Sequence, residues 1–155
     1  MKLGSPEYLE EARRRSNADK TYCSMVQNDL ESYTLVLLAE PTKGVKDTLT
    51  IGFQIDHGSI PEMWTGERKT DFTLSGAYGV WVDVLRGALN PNKALTMRKL
   101  KARGNLLQLL RGADSTIRWV EILQTIPTEF EGDFARYNTG RGASAAAGRS
   151  SGGAG

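Results

Sequence analysis

The residue pattern predicts an α+β protein: a five-stranded, mostly antiparallel sheet covered by five to six helices. Three observations carry that prediction. Two short stretches with helical spacing open the chain. Four runs with strand spacing follow between residues 33 and 75, separated by turn residues. Helical spacing then returns, interrupted by one strand-like run near residue 101.

The first helix starts at Ser5, an N-cap residue, with Pro6 at the first helical position and Glu7 in the first turn. Tyr8, Leu9 and Ala12 then share a face. Asp19 caps a second helix that turns Tyr22, Met25, Val26 and Leu30 inward. Tyr33 to Ala39 is apolar at both parities, as expected of a central strand covered on both faces. Pro41, Lys43 and Gly44 form a loop. Leu49, Ile51, Phe53 and Ile55 alternate with Thr50, Gly52, Gln54 and Asp56, so this strand has one buried face. Asp56-His57-Gly58-Ser59 is a hairpin turn, with Gly58 expected at positive φ. Strands at 60–64 and 70–75 complete a four-stranded meander.

Val80, Trp81, Val84 and Leu85 mark a helix that Ser75 would cap and Gly87 would end. Asn90-Pro91 starts a short helix bearing Ala94, Leu95 and Met97. Leu100 and Ala102 alternate with Lys99, Lys101 and Arg103, as on a charged edge strand. Gly104-Asn105 breaks it before the apolar helix of Leu106, Leu107, Leu109 and Leu110. A last helix from Ser115 to Ile126 carries Trp119, Ile122, Leu123 and Ile126 on one stripe, and Pro127 ends it. The composition shifts at Glu131. We divide the chain into a folded domain, 1–130, and a flexible tail rich in Gly, Ala, Ser and Arg, 131–155.

The bulk properties exclude several function classes. The chain has 155 residues, enough for one domain with its own core. The net charge of +2, with acids and bases intermixed, argues against nucleic acid as a partner. Cys23 is the single cysteine, so no internal disulfide forms. No apolar run reaches the roughly 18–20 residues of a membrane span, and no signal peptide or retention motif is present. These features predict a cytoplasmic protein.

Catalytic and metal chemistry lack their residues. His57 is the one histidine and lies in a turn, and no Ser or Cys sits in a nucleophile elbow. Cys23 with His57 cannot build a zinc site. Gly76-x-x-Gly79 and Gly140-x-Gly142 lack the nucleotide-binding spacing. The pairs Glu10–Glu11 and Glu129–Glu131 are helix-surface and linker charges. We therefore expect no enzymatic activity, no catalytic residues, no metal and no cofactor.

The distinctive feature is an excess of large apolar residues from Val80 to Leu110, on three short helices facing a sheet that already offers Phe53, Ile55 and Phe72. Periodicity alone assigns these to an ordinary core. The run from Phe72 through Trp81, Gly87 and Asn90-Pro91 to Leu95, followed by Lys99-Leu100-Lys101-Ala102-Arg103-Gly104-Asn105 and a Leu-rich helix, resembles the sterol carrier protein 2 domain family. So does the Gln54-to-Gly58 hairpin. The resemblance spans about residues 20–126 and is most specific at 85–105. Arg98 stands where the family often has Gly, and Asn105 where Asp is frequent. It identifies a single-domain member of prokaryotic type.

The resemblance implies an apolar tunnel between sheet and helices. Carried over residue by residue, its lining is Phe53, Ile55 and Phe72 from the sheet. Trp81, Val84 and Leu85 come from the helix after the fourth strand, Leu95 and Met97 from the Asn-Pro helix, and Leu106, Leu107 and Leu110 from the Leu-rich helix. Arg98, Lys99, Lys101 and Arg103 are candidate partners for a headgroup or simply a charged edge. The implied partner is a hydrophobic small molecule: a fatty acid, acyl-CoA, phospholipid or sterol-like compound. Membrane contact is at most transient, and the chain is a monomer or dimer. Two other readings stay open: an accessory module presenting a hydrophobic substrate to an enzyme in trans, and a ligand-free structural or interaction domain.

Overall fold

A computed structural model describes residues 1–139. The elements run α1 (Pro6–Ala18), α2 (Lys20–Met25), β1 (Leu30–Leu38), β2 (Leu49–Asp56), β3 (Ser59–Thr65), β4 (Phe72–Ala77), α3 (Tyr78–Leu85), α4 (Pro91–Thr96), β5 (Lys101–Arg103), α5 (Leu106–Arg111) and α6 (Ala113–Gln124). The five strands form one sheet in the order β3-β2-β1-β4-β5. As predicted, the doubly apolar β1 is its centre.

The expected meander stops at β3. β4 crosses to the far side of β1 and pairs with it in parallel, Tyr33 beside Phe72 and Leu37 beside Gly76. The other pairings are antiparallel. The crossover is held by short polar contacts. Thr70 Oγ1 lies 2.7 Å from Thr34 Oγ1, and Asp71 accepts from the Ser32 backbone N–H at 2.8 Å. None of these has a periodicity that a sequence reading could detect.

Side-chain alternation gives the sheet one face toward the helices, carrying Tyr33, Leu35, Leu37, Ile51, Phe53, Ile55, Phe72 and Leu74, all buried. The opposite face carries Trp64, which lies flat across Gly52. A Cβ there would sit 2.2 Å from the indole, so only glycine fits. The Arg68 guanidinium stacks on that ring, 4.1 Å from its centroid.

The local signals hold at most helix ends. Ser5 accepts from the Tyr8 N–H, Asp19 from Tyr22, Asn90 from Asn92 and Lys93, and Asn105 from Gln108. Ser75 is the exception. It lies within β4, and α3 follows Ala77 without a side-chain cap of its own. The Glu40 carboxylate, from the loop after β1, accepts the Gly79 N–H at 2.7 Å instead. In the hairpin turn both His57 (φ 45°) and Gly58 (φ 95°) are left-handed, as a type I′ turn requires, where the sequence suggested Gly58 alone.

The boundary placed at residue 131 is also corrected. Residues Gly132–Tyr137 form a 3-10 helix that buries Phe134, its ring 5.6 Å from Tyr78. The Tyr78 hydroxyl oxygen accepts the Glu131 N–H at 3.0 Å. Two aromatic residues and a backbone bond anchor this stretch despite its glycine-rich surroundings. The rest of the proposed tail, 140–155, lies outside the described residues.

Candidate functional site: an apolar space between sheet and helices

The space between the sheet and the helix layer is nearly filled. Two apolar cavities of about 40 and 50 Å³ remain there. They share the walls Leu35, Trp81, Val84, Trp119 and Val120. The first extends toward Leu3, Tyr8, Met63 and Leu85, and the second toward Tyr22, Ile55, Leu95 and Leu100. Both are small beside the roughly 300–1,000 Å³ of a small-molecule site. Among the described residues these two cavities stand separate and do not form one continuous tunnel.

Hydrogen bonds fix the two indoles that divide the cavities. Trp81 donates to the Val36 carbonyl at 3.0 Å, and Trp119 to Ser16 Oγ at 2.9 Å. Trp119 also packs on Phe53 with ring centroids 4.3 Å apart. Phe53, Tyr33 and Phe72 then stack across three adjacent strands at 4.9 Å spacings.

The floor of the second cavity ends in polar groups. The Tyr33 hydroxyl donates to Glu31 Oε1 at 3.2 Å, and Gln108 donates to Glu31 Oε2 at 2.7 Å. Burial first, and the nearby Glu31 charge second, push the Tyr33 hydroxyl far above its ordinary pKa, so it remains a donor. Burial likewise pushes the Tyr8 and Tyr22 hydroxyls up. On the outer side of Glu31 an open groove is lined by Met25, Asp29, Gln108, Arg111 and Asp114.

The eleven residues expected at the tunnel divide into three sets. Phe53, Ile55, Trp81, Val84, Leu85 and Leu95 line the cavities. Phe72 is buried one ring further on, stacked against Tyr33. Met97, Leu106, Leu107 and Leu110 face solvent, 49%, 56%, 64% and 70% exposed. The headgroup candidates lie apart from the cavities as well. Ala102 pairs with the cavity-lining Leu74, so its neighbours Lys101 and Arg103 point to the opposite face of the sheet.

The wall that the sequence reading missed is α6. Trp119, Val120 and Leu123 roof the cavities, and Ser115 and Thr116 close one side. Its amphipathic stripe was visible, yet indistinguishable from an ordinary core face. Cys23 is half-buried, its thiol directed at the Ser16 and Asn17 carbonyls and pushed up in pKa by burial.

This arrangement, a mixed five-stranded sheet with a helix layer over an apolar space, recurs in known proteins. Residues 9–112 match the SCP-2 sterol transfer family. The chain belongs to that family. A crystal structure of sterol carrier protein 2 superposes with a TM-score of 0.74 at 21% identity, covering 81% of this chain and 99% of that one. A conserved hypothetical protein from Thermus thermophilus gives 0.72 at 22% identity, covering 81% and 90%. The apo form of sterol carrier protein 2 from Yarrowia lipolytica gives 0.54 at 15% identity, covering 79% and 93%. At these identities the likeness is one of fold. A search of curated proteins finds no match. Among the described residues, no helix is long and apolar enough to cross a membrane.

Within the SCP-2 family frame, Arg98 gains a physical meaning. It sits at φ 61°, just past α4. Arg98 N–H bonds the Leu95 carbonyl at 3.0 Å and Lys99 N–H the Ala94 carbonyl at 2.8 Å. That is a Schellman end, whose left-handed residue is ordinarily glycine.

Proposed function

We propose that this chain is a non-catalytic cytoplasmic carrier that withdraws one hydrophobic ligand from water into the space between sheet and helices. The ligand class is a fatty acid, acyl-CoA, phospholipid or sterol-like molecule. The observation that supports the reading is the pair of apolar cavities sharing Trp81, Val84 and Trp119 in the middle of an SCP-2 fold. Merging them requires the shared walls, Leu35 of β1 and the α3 and α6 side chains, to move apart, and admitting a ligand of this size requires the helix layer to separate from the sheet.

The energetics suffice without polar recognition. Burying each methylene contributes roughly 0.8 kcal/mol, so a chain of about sixteen carbons gains on the order of 12 kcal/mol. Lost motion and separating the packed walls remove several kcal/mol of that. Micromolar affinity with loose selectivity follows. Phe53, Ile55, Trp81, Val84, Leu85 and Leu95 form the contact set in this proposal. Delivery of the ligand to an enzyme in trans is compatible with the same site.

Native mass spectrometry of the purified chain, with organic extraction, tests the carrier. A bound acyl or sterol-like mass is the expected result. Trp81 and Trp119 flank both cavities, so a brominated fatty acid should quench their emission and spare Trp64 on the far face of the sheet. An apo mass together with unquenched fluorescence across fatty acid, acyl-CoA, phospholipid and sterol probes would overturn the reading.

A further inference from the structure

We propose that α5, with the basic strand that precedes it, is a docking surface for an anionic lipid bilayer. This is independent of what, if anything, the cavities hold. The first observation is the exposure of its leucines. At 100° per residue Leu106, Leu107 and Leu110 form a single outward stripe, more than half exposed at each position.

That exposure is built rather than frayed. Asn105 caps the helix through the Gln108 N–H, Leu109 is buried, and the Gln108 side chain is tied to Glu31 of β1. These tethers hold the opposite side of α5 against the protein and leave the leucine stripe without a partner among the described residues. Burying these leucines against the protein would require breaking those tethers. A bilayer covers them where they stand.

The second observation is charge. Between Asp83 and Asp114 the sequence has no acidic residue and seven basic ones, although the whole chain is only +2. Lys101 and Arg103 precede the stripe in the chain and Arg111 follows it, at the edge of the acidic groove; all three are exposed and make no ion pair among the described residues. Arg98 and Lys99 add two more cations in the turn just before that strand. The acidic groove of Asp29, Glu31 and Asp114 opens on the Gln108 side of α5, away from the leucines. An exposed apolar stripe within a stretch of the chain that carries only basic charge matches an interface of anionic headgroups over acyl chains.

Flotation with vesicles tests the surface using the full chain. Vesicles of phosphatidylglycerol and phosphatidylcholine should carry the protein, and pure phosphatidylcholine vesicles should not. High salt should release it. The triple variant Leu106→Ser, Leu107→Ser, Leu110→Ser and the double variant Lys101→Glu, Arg103→Glu should each lower binding at least tenfold, the first by removing the apolar contact and the second by removing two charge contacts. All positions are exposed, so thermal unfolding of both variants should match the parent. No flotation with anionic vesicles, equal flotation with neutral ones, or unchanged flotation of the variants would overturn the proposal. So would a concentration-dependent dimer abolished by the serine substitutions, which would assign the stripe to a second copy. Fatty acid quenching of Trp81 should persist in both variants. Its absence in the parent would remove the carrier reading and leave the docking surface standing.

Discussion

The cavity wall and the α4–β5–α5 segment are built from the same residue types, yet the protein treats them oppositely. Leu35 of the sheet and Val84 and Leu123 of the helix layer face one another across the cavities and exclude water. Leu106, Leu107 and Leu110 lie on the six-residue α5 and meet water. Their hydrophobicity is equal. The difference is cover: β1 and α3 are sandwiched beneath the twelve-residue α6, whereas α5 is too short to turn more than Leu109 inward. An apolar residue becomes a core residue only when another element can reach it.

The strongest way to break this comparison is one truncation in each region. Leu35→Ala should cost about 2–5 kcal/mol in urea unfolding, because it enlarges both cavities at once. Leu107→Ala should stay within about 0.5 kcal/mol of the parent. Equal costs would show that α5 packs in solution and that its exposure is not the working state.

A second measurement concerns what holds the roof. Asp19 caps α2 and pairs with Arg118 of α6. The Arg118 guanidinium, and then the Tyr22 N–H, hold the Asp19 carboxyl below the usual carboxylate range. Lowering the folded pKa means the stabilisation is fully present above an ordinary carboxylate pKa of about 4 and disappears as pH falls through the folded value. Asn is an equally good cap, so Asp19→Asn isolates the ion pair. Arg118 is 37% exposed, so solvent screening should keep the loss below about 1 kcal/mol at neutral pH. Unfolding curves of variant and parent should converge in acid. A difference that persists at low pH would assign the effect to packing.

The smallest expected effect compares the C-terminal ends of α3 and α4. α3 and α4 close with the same hydrogen-bond pattern, but the left-handed residue is Gly87 in one and Arg98 in the other. Arg98→Gly should raise stability by about 0.5–1 kcal/mol, read by thermal unfolding. A decrease would show that the Arg98 side chain contributes more than its backbone strain costs.

Much of the fold was legible because it rests on local patterns. The doubly apolar Tyr33–Leu38 run marks a central strand, and Asn90-Pro91 marks a helix start. The parallel placement of β4 was not legible, because a short polar crossover leaves no periodic trace. The ordered stretch after Glu131 was missed because composition averages out two anchoring aromatics, Phe134 and Tyr137. At the candidate site, the SCP-2 resemblance pointed to Trp81, Val84 and Leu95, which line the cavities. The α6 roof was read as plain core and the Leu-rich helix as tunnel, because a stripe of leucines looks the same covered or bare.

By itself the sequence determined most of the elements, most of their caps and turns, and which stretches are apolar, since propensity and periodicity act over a few residues. Only the tertiary structure decided which leucines are covered. That choice depends on which elements meet across the chain, as when Gln108 reaches Glu31 and Trp119 reaches Ser16. Such contacts join residues far apart in sequence, where no local pattern records them.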